Sequence, residues 1–187
     1  GNDVFQWDPG DGSDIVEGQA GSDTMLFNGS GGAETMEASA NGGRMRFTRN
    51  LGNIVMDLDD VEKIDVKALG STDTIIVNDM TGTDLTQMNI DLAGTFGGTS
   101  GDGQSDVVIV NGNNANNVID VFGSGTAFSV VGLPTLVNVK NSEGANDALV
   151  VNALGGNDSI TATTLPAGVV KLTLDGGAGN DTILGSQ

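Results

Sequence analysis

The sequence predicts an all-β fold, a parallel β-solenoid whose coils carry about three short strands each, with equivalent strands stacked about 4.8 Å apart. Three observations lead there. First, residues 23–28, 73–78, 106–111 and 147–152 share the form Asp-x-apolar-apolar-x-Asn, and Asp181-Thr182-Ile183-Leu184 begins a fifth copy. Second, Glu34, Asp84, Asn117 and Asp158 each fall 11 residues after the leading acid of one of the first four copies, and Asp3 and Asp14 repeat the offset. The leading acids themselves are 50, 33, 41 and 34 residues apart, so a fixed corner sits inside a variable period. Third, a further short strand closes the longer periods at 88–92, 136–140 and 170–175, with 55–58 as its counterpart in the longest.

Taken in order, Asp3, Asp14, Asp23 and Glu34 are spaced 11, 9 and 11, a tighter coil than those that follow. Residues 40–60 break the pattern and read as an inserted hairpin turned by Asn41-Gly42-Gly43, carrying Arg44, Arg46 and Arg49. These arginines read as neutralising nearby carboxylates; the competing reading is a site for an acidic ligand. Residues 94–103 are rich in Gly, Thr and Ser and form a loop, while Pro134 and Pro166 mark corners. Period-two alternation then puts Met25, Ile75, Val108, Leu149 and Ile183 in the core, followed by Phe27, Val77, Val110 and Val151. The same alternation turns Leu26, Ile76, Ile109, Val150 and Leu184 outward as one apolar stripe, a surface for a neighbouring solenoid or another region of a larger parent protein. Asn28, Asn78, Asn111 and Asn152 form an amide ladder. The span 1–187 reads as a single solenoid segment of a longer array, since Gly1-Asn2-Asp3 is half of a turn and Gln187 lies just past the fifth repeat.

Composition narrows the function. The chain of 187 residues holds 25 Asp plus Glu against 7 Lys plus Arg, a formal charge of −18 that repels nucleic acid and anionic lipid and attracts divalent cations. With no Cys, His or Tyr, disulfides, thiolate chemistry and imidazole zinc sites are excluded. No apolar run reaches the roughly 18 residues of a membrane span.

The most regular stretch is Gly176-Gly177-Ala178-Gly179-Asn180-Asp181-Thr182-Ile183-Leu184, which reads G-G-x-G-x-D-x-U-x, U being a large apolar residue. It resembles the calcium-binding nonapeptide of the hemolysin-type, or repeats-in-toxin, family. Glycines permit left-handed turns that point carbonyl oxygens inward, and the Asp adds a carboxylate, a hard oxygen set suited to Ca²⁺. Residues 9–17 and 18–26 keep Gly at the fourth position, as Gly12 and Gly21, whereas Ser71, Gln104 and Ala145 replace it in the middle turns. There the Asp has the alternative role of capping backbone N–H groups.

Stacked coils place Asp3, Asp23, Asp73, Asp106, Asp147 and Asp181 in one column and Asp14, Glu34, Asp84, Asn117 and Asp158 in a second. Two carboxylates about 5 Å apart repel by roughly 3 kcal/mol at an effective dielectric near 20, and a cation between them removes the cost. The expected calcium ligands are therefore Asp3, Asp14, Asp23, Asp73, Asp106, Asp147, Asp158 and Asp181.

The resemblance implies a calcium-ordered structural or adhesive module of a secreted or cell-surface bacterial protein, with no enzymatic activity. The alternatives are the calcium-repeat tail of a type I secreted enzyme and a carbohydrate-active β-helix. The last is weakened by the absence of His and Tyr and by a single Trp.

Overall fold

The computed structural model describes residues 1–186. The first strands are β1 (Val4–Trp7), β2 (Ile15–Glu17), β3 (Thr24–Ser30), β4 (Thr35–Asn41), β5 (Arg44–Arg49) and β6 (Ile54–Asp59), with one 3₁₀ turn at Leu51–Asn53. Next come β7 (Lys63–Leu69), β8 (Thr74–Val77), β9 (Gln87–Asp91), β10 (Val107–Asn113), β11 (Val118–Ser124) and β12 (Ala127–Val131). The chain continues with β13 (Leu136–Lys140), β14 (Ala148–Leu154), β15 (Ser159–Thr164), β16 (Lys171–Asp175) and β17 (Thr182–Leu184).

The fold is all-β, but it is not the simple parallel solenoid of three strands per coil that the repeats predict. The 17 strands form two mixed sheets, one of nine strands ordered β1-β3-β7-β9-β13-β12-β11-β15-β17 and one of eight ordered β16-β14-β10-β8-β4-β5-β6-β2. Most pairings are parallel, and four are antiparallel: β4 with β5, β5 with β6, β11 with β12, and β12 with β13. The physical cause is two fold-back segments. One turns at Gly42-Gly43, with Gly42 at φ +69, and lays β5 between β4 and β6. The other turns at Gly125-Thr126, with Gly125 at φ +61, and lays β12 between β11 and β13. A two-residue connection with positive φ matches the twist of antiparallel strands. Each fold-back fills a place in its sheet that a further parallel coil would otherwise occupy. Of the expected third strands, β9 and β13 stack in parallel register in the nine-stranded sheet, whereas β6 and β16 lie in the other.

Local alternation is read correctly where strands are flanked on both sides. Met25, Ile75, Val108 and Leu149 are buried, as are Phe27, Val77, Val110 and Val151. Ile183 is 42% exposed, because β17 is an edge strand whose one neighbour is β15. The outer stripe is broken. Ile76, Ile109 and Val150 are cross-strand neighbours in the eight-stranded sheet, bounded by Glu37 and Thr173. Leu26 and Leu184 lie in the other sheet, beside Asp65 and Thr161 respectively.

One hydrophobic cluster draws on both sheets. Trp7 on β1 stacks on Phe27 of β3 at 4.2 Å, and Phe27 meets the edge of Phe47 on β5 at 4.8 Å, so this aromatic trio joins the two sheets. Each such side chain contributes on the order of 1.5–3 kcal/mol by burial. Arg49 lies over the Trp7 ring and pairs with the buried Glu34, donating also to Ser30 Oγ.

Candidate metal centre

The eight acids expected to bind calcium do not form the expected columns; seven of them divide among three ladders. In the nine-stranded sheet the Asp3 N–H donates to Asp23 Oδ1 at 2.6 Å, and the Asp23 N–H to Glu62 Oε2 at 2.6 Å. In the eight-stranded sheet Glu34, Asp73 and Asp106 donate their N–H groups in turn to Asp73, Asp106 and Asp147 at 2.8, 2.8 and 3.0 Å. In the third, Asn117 donates to Asp158 and Asp158 to Asp181, at 2.7 and 2.9 Å. Asp14 is exposed and joins none; its carbonyl accepts from the Asp57 N–H.

The ladder of Asp73, Asp106 and Asp147 fits backbone capping better than a cation. Each acid is buried at the entrance to a strand and gives Oδ1 to the amide of the rung beside it. Burial pushes the Asp73 carboxyl up to about 8 and Asp106 up to about 7, with neighbouring acids adding to the shift; Asp147 rises for the same leading reason. Asp73 Oδ2 is buried without a partner, and the upward shift favours a proton on that carboxyl. Five residues on from these acids, the side-chain amides form the expected ladder over three rungs, Asn152 to Asn111 to Asn78, at 2.9 Å each. Asn28 lies in the other sheet and donates to Asp8.

Several turns of the nine-stranded sheet gain a further tie through an Asn side chain. The Ser22 N–H donates to Asn2 Oδ1, Asn157 to Asn116 and Asn180 to Asn157, so the Asn side chain ties each turn to the next. In the complete nonapeptide a Cβ added at Gly176 would lie 2.6 Å from Asp181 Oδ2; the glycine lets the carboxylate fold over its own turn.

A different set of acids converges. β6 ends at Asp59, Asp60 turns the chain with φ +52, and β7 starts at Lys63. The loop before Leu85 brings in Asp84. Among the described residues, Asp59, Asp60 and Asp84 are the three acids whose carboxylate oxygens lie within 4.8 Å of one another. The Asp60 N–H points at Asp84 Oδ2 at 3.4 Å. Desolvation pushes the Asp60 carboxyl up, and the charges of Asp59, Asp84, Glu17 and Glu62 push the same way. Arg44 is the cation that answers them, reaching Asp57 at 2.6 Å, Glu17 at 2.9 Å and Asp59 at 3.0 Å. One guanidinium thus faces several carboxylates, and the balance is strongly negative.

A second feature borders this cluster. Asp23 is fully buried, and its Oδ2, like those of Asp73 and Asp158 in the other ladders, has no hydrogen-bond partner. A Cβ added at Gly18 would lie 1.8 Å from the Asp60 carbonyl oxygen and 3.0 Å from Asp23 Oδ2, so both oxygens close on the same bare Cα. Only glycine admits that approach. Three carboxylates thus converge at the turn, and two further oxygens meet at Gly18; hard oxygen donors of this kind suit Ca²⁺.

Of this group the repeat pattern supplies Asp84 and Asp23; Asp59 and Asp60 stand outside it. Their signal in the sequence is the doublet Asp59-Asp60 beside an apolar run. No protein-family model, no curated protein and no solved structure matches the chain.

Proposed function

We propose that this chain is a non-enzymatic structural module that binds a divalent cation, Ca²⁺ by its donor chemistry, at Asp59, Asp60 and Asp84. What carries the reading is the convergence of three carboxylates from two segments around a turn whose charge Arg44 only partly offsets. The cation would join the β6–β7 turn to the loop that leads into β9. The oxygen-only donor set favours a hard ion. Sites of this charge in extracellular modules bind at roughly 10⁻⁴ to 10⁻³ M, which suits a secreted or cell-surface setting and the likeness of 176–184 to a hemolysin-type repeat.

Binding to the folded state alone stabilises it by linkage, by about 1.4 kcal/mol at a tenfold excess over Kd. The test is the melting temperature in EDTA and in millimolar calcium. A rise that disappears in Asp84→Asn supports the proposal; an unchanged melting temperature in a metal-free sample rejects it.

A further inference from the structure

The outer face of the nine-stranded sheet carries a groove of about 470 Å³, bordered by Asp65, Lys67, Asn89, Ser129, Asn138 and Lys140. The size lies in the range of small-ligand sites. Its floor is one straight cross-strand row: Asp65 on β7, Asn89 on β9, Asn138 on β13, Ser129 on β12. These groups orient one another. Asn89 Nδ2 donates to Asp65 at 2.6 Å, Asn138 Nδ2 to Asn89 at 3.0 Å, and Ser129 Oγ to Asn138 at 2.7 Å. Each amide uses one of its two N–H groups in the row and keeps the second.

Beside the row sits a fixed pair of cations. Lys67 and Lys140 both hold Asp91 Oδ2, at 3.0 and 3.1 Å, and the buried Asp91 is anchored on its other oxygen by Asn141 Nδ2 at 2.6 Å. The groove thus holds two ammonium groups against two carboxylates, Asp91 and Asp65; Asp91 draws both lysines to one place and Asp65 lies at the β7 end of the row, so the lysine pair keeps the positive charge and further N–H donors. In a chain of charge −18, three of the four lysines, Lys63, Lys67 and Lys140, project from these neighbouring strands. The row then ends on an aromatic: Phe122 of β11 lies directly opposite Ser129 and is 39% exposed.

We propose that this face is a binding site for a carboxylate-bearing glycan. The chain of the argument is chemical. A line of fixed amide, carboxylate and hydroxyl groups suits sugar hydroxyls, the lysine pair suits a sugar carboxylate, and an exposed ring at the end suits the C–H face of a pyranose. The spacing agrees as well, since adjacent strands lie about 4.8 Å apart and a pyranose unit advances a glycan by a similar distance. An acidic peptide could use the lysines but would leave the polar row and the ring without a role. This site is separate from the proposed metal centre and does not depend on it.

The probe is a galacturonate trimer, with a galactose trimer and a short polyglutamate as comparisons, titrated at physiological ionic strength and followed by calorimetry. The wild type binds the galacturonate trimer, and the galactose trimer binds at least tenfold more weakly. Lys140→Ala and Phe122→Ala, both at exposed positions, each weaken binding at least fivefold with an unchanged melting temperature. Arg46→Ala, on the other sheet, binds as the wild type does. Absence of galacturonate binding at millimolar concentration overturns the proposal. So does polyglutamate binding as tightly as the glycan, or full affinity in both Lys140→Ala and Phe122→Ala.

Discussion

The same residue, aspartate, sits in opposite surroundings in two regions of this molecule. Between β4 and β14, Asp73, Asp106 and Asp147 are buried one above another, each fastened to the backbone of the neighbouring rung. At the β6–β7 turn, Asp59, Asp60 and Asp84 face each other near the surface with one arginine at their side. In the first region desolvation is relieved by a proton and a fixed N–H donor. In the second, water and Arg44 keep charge tolerable and a cation would remove the remainder. The lesson is that spacing of acids along a chain does not by itself announce a metal. In the ladder Oδ1 of each acid is spent on an amide while Asp73 Oδ2 stays buried without a partner; at the turn carboxylate oxygens of three acids face one another.

The largest expected effect comes from breaking the buried ladder. Asp106→Ala removes the acceptor of the Asp73 N–H in a buried setting, at a cost on the order of 1–3 kcal/mol, measured by urea denaturation. The matching change at the turn has the opposite sign. In EDTA, Asp60→Asn removes a repelled charge and raises the melting temperature. Equal destabilisation by both would erase the distinction between the two regions.

The next test is pH. The folded-state values of Asp73 and Asp106, about 8 and about 7, lie above the ordinary aspartate value, so the folded chain binds more protons than the unfolded one. Stability from these groups is fully present below about pH 4, the unfolded value, and is lost as pH rises through 7 to 8. Metal-free protein should therefore melt progressively lower from pH 5 to pH 9. Asp73→Asn, which keeps an acceptor without the charge, should flatten that slope and melt higher than the wild type at pH 9. A slope of the opposite sign would mean that these carboxylates are ionised in the fold.

The smallest effect concerns Arg44. Arg44→Gln removes the cation that holds Glu17, Asp57 and Asp59. Calcium affinity should tighten severalfold, because the incoming ion no longer competes with a fixed positive charge. Weaker affinity would assign Arg44 the role of positioning Asp59.

Much of the ladder region was legible in the sequence, because its order is local. The Asp-x-apolar-apolar-x-Asn segments at 73, 106 and 147 became strands β8, β10 and β14 in parallel register, with Ile75, Val108 and Leu149 inward. The equivalence of the repeats at 23 and 181 with these was not real. Their strands, β3 and β17, belong to the other sheet. The chain crosses between the sheets three times from β3 to β8 and three times from β14 to β17, but only twice from β8 to β10 and twice from β10 to β14, so the repeats at 23 and 181 land in the opposite sheet. The turn cluster was illegible for a related reason. Asp59 and Asp60 meet Asp84 through a change of chain direction, and no periodicity encodes that encounter.

The most direct measurement is a calorimetric calcium titration of metal-stripped protein, with stoichiometry as the readout. The account predicts one ion per chain, lost in Asp60→Asn/Asp84→Asn and kept in Asp73→Asn/Asp106→Asn. Several ions per chain, or binding that survives the first double variant and fails in the second, would place calcium in the buried ladder and contradict the account.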